Sequence, residues 1–378
     1  MIKKLKLINF KSHVKSDVIF RNLTVLTGIN GYGKSSVIQA LLLLRQSFLK
    51  NRLMEGLDLN APLVNLGNTN DILSRYSKDT PIMGFDIDCG DEHFNFEYDC
   101  ERYLTESFLP LRQYSQNITS EKLSLVSLFN NSFQYVSALR TGGQSLFGQD
   151  SYMVEKMHQL SSTEGRCDLL GHFLYKYGNE SCYNYVDKSI DCTLLEQINV
   201  WESRISMNTQ VHVEPNSSDK KNYRILYDVI DAQGRAIAAG LSASNVGYGL
   251  SYTLPVIVAL LAAVSGDLVI VENPEAHLHP AGQVALGELI TLVASRGVQV
   301  VIETHSDHII NSILLSCKAA TEGGDGLSAE DVALSYMGKM TTEQGTEVQS
   351  VKISGGKLEY QPKGFVDQYE HDVYLLNR

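Results

Sequence analysis

Gly28, Gly33, Lys34 and Ser35, in the stretch TGINGYGKSS, have the types and spacing to hold a phosphate chain. They satisfy every specified position of G-x-x-x-x-G-K-[ST]. Glycines let backbone N–H groups turn inward around phosphate oxygens. A helix N-terminus adds partial positive charge. Lys34 supplies a full charge between the outer phosphates, and the Ser35 hydroxyl is placed to ligate Mg²⁺. The chemistry these residues imply is binding of a nucleoside triphosphate, ATP, with Mg²⁺ at 28–36, with Asn30, Gly31, Gly33, Lys34, Ser35 and Ser36 lining the loop.

A second set lies late in the chain. The run LVIV ends in Glu272, and a carboxylate at the end of a core strand is costly unless a cation sits beside it. Glu272 is therefore the expected Mg²⁺-side carboxylate. Further on, VQVVIETHS ends another apolar strand in polar residues, including His305. His277 and His279 in HLHP do not share a helical face, and spacing fixes no third ligand for a metal there. Arg140, in YVSALRTGG, is a candidate to contact phosphate or DNA, or to cap a carboxylate.

The elements that must position these residues can be read around them. Residues 1–26 alternate as two strands, IKKLKLINF and SDVIFRNLTVLTG, and a helix runs from about Ser35 to Phe48. MGFDIDC and HFNFEYD form a hairpin through GDE, and 209–238 suggests another, turning at EPNSSDKKN or at DAQG. Residues 101–205 read as helices and loops of an inserted lobe. LPVIVALLAAVSG is a buried helix, too short to span a bilayer. Strand, helix, strand over 267–305 implies a parallel sheet with helical crossovers.

GINGYGKSS, NVGYGLS, VIVENPEAHLHP and VIETHSDHIINS occur in the order found in ABC-type ATPases of the RecF, SMC and OLD group, and LKLINFKSH resembles that group's opening. Within the group the chain resembles bacterial AAA-family ATPases with a C-terminal domain of unknown function, whose tail QPKGFVDQYEHDVYLLNR is similar to. The resemblance implies an α/β fold: a P-loop NTPase with an ABC-ATPase-like head, a mixed sheet, an antiparallel β lobe and a helical insertion. It divides the chain into an ATPase core at 1–75 and 240–378 and a lobe at 76–240. It also implies a signature segment at Asn245, Gly247, Gly249 and Ser251, which contacts ATP held by the other subunit of a head-to-tail homodimer or higher homo-oligomer, and a switch role for His305. One departure stands out. The Mg²⁺ carboxylate is usually followed by a glutamate that polarises water, and here the stretch reads Glu272-Asn273-Pro274-Glu275. Asn273 can orient water but cannot take its proton. Either Glu275 serves as base or turnover is slow.

Composition narrows the partners. The net charge is −11 over 378 residues, which argues against nucleic-acid binding by charge alone. Lys3, Lys4, Lys6, Lys11 and Lys15 are either a strand edge dressed with lysine or a local basic patch. Six cysteines without a CxxC pair suggest neither zinc nor disulfides and fit a reduced, cytoplasmic compartment. No signal peptide is expected at the N-terminus. About seventy residues follow His305 without an acidic metal cluster, so nuclease activity is expected of a partner. The expected activity is an ATP-gated scaffold or sensor for a protein effector, in bacterial anti-phage defence. The alternative is an ATP-dependent DNA-binding or DNA-processing factor of RecF or OLD type. A third option is a silent phosphate loop kept for stability.

Overall fold

The structure is a computed structural model that describes residues 1–76, 82–114, 118–184, 193–206, 208–218, 221–231, 233–341, 345–362 and 365. Contacts divide the chain into one unit of 1–130 and 329–378, and a second of 131–328.

The first unit is built on a mixed sheet. Among its described residues the strands lie in the order Gly56–Asp58, Phe108–Tyr114, His93–Asp99, Ile82–Asp88, Lys4–Phe10, His13–Ile19, Gly345–Val351, Val332–Thr341 and Leu23–Gly28. The pairing of Val332–Thr341 with Leu23–Gly28 is parallel, and the others are antiparallel. Two expected strands at the N-terminus are three. The chain turns at 20–22, where the Arg21 N–H donates to Thr24 Oγ1 at 3.1 Å, so the long apolar run breaks before Leu23. The expected hairpin is present with Phe85 opposite Phe96. The lysine-rich opening strand is not an edge, because Lys4–Phe10 is flanked on both sides. Leu5 and Leu7 face the core while Lys4 and Lys6 lie half-exposed, and Lys4 pairs with Asp17 at 3.0 Å. The helix Lys34–Leu49 buries Val37, Ile38, Leu41, Leu42 and Leu44, and its buried Arg45 donates to the carbonyls of Leu128 and Asn130.

The second unit holds three parallel strands, Phe133–Val136, Leu268–Glu272 and Gln299–Glu303, in register with Val271 between Val136 and Ile302. Phe133–Val136 falls where helices and loops were expected; at four residues it is too short for alternation to reveal. Among the described residues, five α-helices pack in this unit: Leu170–Tyr177, Leu194–Ser206, Tyr248–Ala262, Pro280–Ser295 and Asp307–Thr321. The apolar stretch at 254–266 lies mostly within the third of these, and no described helix is long and apolar enough to cross a membrane. The expected hairpin at 209–238 is a three-stranded meander, Thr209–Pro215, Tyr223–Ile230 and Ala236–Ser242, so both candidate turns are used. Most of the tail that resembles the AAA-family ending, 363–364 and 366–378, lies outside the described residues.

Candidate functional site

In the first unit, the strand Leu23–Gly28 runs into the phosphate loop and the loop into the helix Lys34–Leu49. Gly28 (φ 134°), Gly31 (φ 82°) and Gly33 (φ 88°) all adopt conformations that other residues resist. Gly28 is also constrained by space, since a Cβ there would lie 2.2 Å from the Met337 carbonyl oxygen. Lys34 is buried, and its ammonium donates to the Gly28 and Ile29 carbonyls at 2.9 Å each. The cation is thereby held over the loop that would receive phosphate. Asn30, Gly31 and Ser35 are exposed, and Ser36 is buried in the first turn. Ser35 is at the helix start, where a hydroxyl suits a magnesium ion.

Sequence reasoning missed the wall behind this loop. His13 Nε2 lies 3.0 Å from the Gly33 carbonyl, which can only accept, so Nε2 carries the proton. Its Nδ1 then accepts from the Ser16 hydroxyl at 2.8 Å. Burial lowers the His13 pKa, against the Gly33 bond, and keeps the ring neutral. Thr346 adds a hydroxyl to the Tyr32 carbonyl at 3.2 Å. The only signal for this wall was the His in NFKSH; nothing pointed to Met337 or Thr346.

In the second unit, Glu272, Asn273, Glu275 and His305 come together at the C-terminal ends of two neighbouring strands. Burial raises the Glu272 pKa, opposed by the Ala138 N–H, the Tyr135 hydroxyl and the Arg140 charge. Glu272 Oε2 accepts the Ala138 N–H at 3.1 Å. A half-buried carboxylate held at the ligand end of a parallel strand, with burial opposing its charge, fits the flank of a cation. Asn273 has φ 43°, and its N–H bonds the Glu303 carbonyl at 2.8 Å. Both oxygens of Glu275 are engaged. One accepts from Thr304 Oγ1 and the other from the His305 N–H, each at 2.9 Å. Glu275 thus fixes the turn that carries His305, whose side chain is exposed.

The signature residues lie at the start of the helix Tyr248–Ala262. Asn245 and Gly247 are exposed, as is Tyr248 at 67%. Gly249 lies against the 273–279 turn, where a Cβ would meet the His277 carbonyl oxygen at 2.8 Å. The Ser251 hydroxyl points inward, accepting from the Gly143 N–H at 2.9 Å. His277 packs its ring edge-to-face on Tyr252, and His279 Nδ1 caps the next helix through the Ala281 N–H, so each imidazole has a structural task. No group able to hold a metal ion through His, Cys, Asp and Glu alone occurs among the described residues. Arg140 makes no ion pair among them, and its guanidinium is spent on carbonyl oxygens.

Comparisons with known proteins follow the same two stretches. Residues 1–139 match the family model described as an AAA ATPase domain. Residues 204–311 match one described as an AAA domain, putative AbiEii toxin, Type IV TA system. No curated protein matches the chain. Among solved structures it is similar to an SMC head bound to the C-winged helix domain of ScpA, with a TM-score of 0.51, 13% identity and coverage of 93% of this chain and 98% of that one. The SMC head domain from Thermotoga maritima follows at TM-score 0.47, 13% identity and coverage of 93% and 99%. An SMC head with an extended coiled coil, bound to the C-terminal domain of ScpA and derived from Pyrococcus furiosus, has TM-score 0.49, 10% identity and coverage of 100% and 99%. At 13% identity and a TM-score of 0.51, the first of these shows a likeness of fold alone: a mixed α/β P-loop head.

Proposed function

We propose that the chain, an ABC/SMC-like ATPase of the AAA class, binds Mg-ATP, dimerises head to tail around it and acts as an ATP-gated scaffold for a protein effector. The observation that carries this reading is the exposure of the signature segment. Asn245, Gly247 and Tyr248 stand in solvent at the N-terminus of a 15-residue helix, where backbone N–H groups favour an anion. A segment so presented suits phosphate brought by a second copy.

In this reading the phosphate loop, with Lys34, takes the triphosphate. Ser35 and Glu272 would hold magnesium, which neutralises phosphate charge when bound. His305 reports on the outer phosphate from the turn that Glu275 fixes. Turnover is slow, because Asn273 can orient water but accept no proton, and Glu275 already serves two donors. The ATP-closed pair is then long-lived and passes its shape to the 76–240 lobe or to a partner. The description of the model matched at 204–311 supports a setting in bacterial defence. The ScpA complexes of SMC heads support a search for a bound protein.

Mass measurement in solution, with and without Mg-ATP, tests this on wild type and Lys34→Ala. The expected result is a dimer formed by wild type only with nucleotide, and a monomeric Lys34→Ala that has lost ATP affinity. Wild type that stays monomeric at saturating ATP refutes the sandwich. DNA binding with a steep salt slope would favour a RecF or OLD-type role instead. A stoichiometric co-purifying protein released by ATP supports the scaffold.

A further inference from the structure

Arg140 is buried at 1% exposure and makes no ion pair among the described residues. Its three nitrogens reach three separate segments. Nε donates to the Tyr252 carbonyl at 2.7 Å, on the signature helix. Nη1 donates to the Glu272 carbonyl at 2.8 Å and the Ser137 carbonyl at 3.2 Å. Nη2 donates to the Asn273 carbonyl at 2.8 Å. A guanidinium is planar and stays charged, so these carbonyls must keep fixed relative positions to share it.

A second link runs parallel to the first. The Tyr252 hydroxyl donates to the Ala138 carbonyl at 3.0 Å, and the N–H of the same alanine donates to Glu272 Oε2 at 3.1 Å. The Tyr252 ring lies under the guanidinium, 4.7 Å from its carbon to the ring centroid. Gly142 closes on that ring too tightly for a side chain, and the Gly143 N–H holds the Ser251 hydroxyl. The loop 137–143 therefore touches the Glu272 carboxylate at one end and the signature serine at the other.

We propose that Arg140 and Tyr252 are positioning residues that couple the Glu272 strand end to the signature segment, so that nucleotide taken by one protomer sets the geometry of the segment it offers to a second. The inference rests on the head-to-tail reading above. It makes the two nucleotides of a closed pair bind cooperatively, since each protomer is both receiver and lid. A reorientation of the Glu272 carboxylate alters its bond to Ala138. Ala138 is held from the other side by Tyr252, and the displacement reaches the helix that begins at Tyr248.

The test uses the full chain as wild type, Tyr252→Phe and Arg140→Lys. Tyr252→Phe removes one hydroxyl and keeps the ring, so the protein stays folded; Arg140→Lys keeps the charge and loses the fork. Hydrogen exchange of amides 247–252 is followed with and without Mg-ATP at protein concentrations where protomers are separate. Cooperativity of nucleotide binding is followed at concentrations where they pair. In wild type, nucleotide is expected to change exchange at 247–252. Tyr252→Phe is expected to bind nucleotide within about threefold of wild type, a difference under 1 kcal/mol. It should lose the exchange response and show a Hill coefficient near one. Variants that respond and cooperate like wild type overturn the coupling. So does a wild type that binds and dimerises while 247–252 stays unmoved. A wild type that binds no nucleotide overturns the underlying reading instead.

Discussion

Asn273 sits at φ 43°, a left-handed conformation that costs most side chains about 1–2 kcal/mol and asparagine less. Asparagine at this position, where the resemblance implies a glutamate, thus has a backbone reason beside the chemical consequence proposed above. Asn273 relaxes the turn that follows Glu272, and its N–H ties that turn to Glu303. Restoring the acid should separate the two effects. Asn273→Glu is expected to raise single-turnover hydrolysis by about 10²-fold or more, as a positioned general base does, while lowering stability by about 1 kcal/mol. Rapid-quench measurement of phosphate and a thermal melt check the pair. A lower melting temperature without faster hydrolysis would show that water activation does not limit turnover. Glu275→Gln belongs in the same series: hydrolysis as fast as wild type would remove Glu275 from consideration as the base and leave it as the anchor of His305.

At the scale of elements, the helix Leu194–Ser206 carries a buried stripe of Leu194, Ile198, Trp201 and Ile205, with Glu202 inside it. Glu202 is fully buried, and among the described residues neither carboxyl oxygen has a hydrogen-bond partner. Burial pushes its pKa up to about 8 from 4.5. A group whose folded pKa is raised binds more protons in the native than in the unfolded state between the two values. Stability is therefore full below about pH 4.5, falls as pH rises through the window to about 8, and is level above it. The slope is at most about 1.4 kcal/mol per pH unit. Glu202→Gln should remove this slope, so that in denaturant melts the variant gains on wild type from about pH 5 to about pH 8 and the difference is constant above that. A difference independent of pH would mean that Glu202 ionises without cost. This helix packs on the signature helix and on Pro280–Ser295, so the penalty falls within the unit that carries the signature segment. The same helix illustrates what the sequence conceals. It lies at the end of the 101–205 stretch that reads only as helices and loops, and a glutamate in its stripe looks like any surface acid until its neighbours are known. Long periodic elements such as Lys34–Leu49 and the strands ending at Glu272 and Glu303 were readable because each buries its own pattern. Phe133–Val136 was not, since four residues become a strand only through the neighbour they pair with. Likewise Gly28, Lys34, Glu272 and His305 announced themselves by type and spacing. His13, Met337 and Tyr252 act through a ring nitrogen, a backbone carbonyl and a hydroxyl whose targets are remote in sequence.

For the whole molecule, the question is whether ATP is merely bound or is shared between copies, and protein concentration separates the two. A ligand that binds only the native state stabilises it by about 2.7 kcal/mol at a hundred times its dissociation constant, however dilute the protein. If the nucleotide is also buried between two protomers, association adds a mass-action term, and the melting temperature rises with protomer concentration at fixed ATP. Melts at fixed saturating Mg-ATP, over a hundredfold range of protein concentration, are expected to shift upward for wild type. They should stay flat without nucleotide, and flat for Lys34→Ala under both conditions. Net charge sharpens the comparison: at −11 per chain two copies repel, so added salt should strengthen the ATP-dependent shift by screening. A wild-type melt that rises with ATP yet ignores protein concentration would leave a monomeric binder. The exposed Tyr248 turn would then have no nucleotide to meet in a second copy.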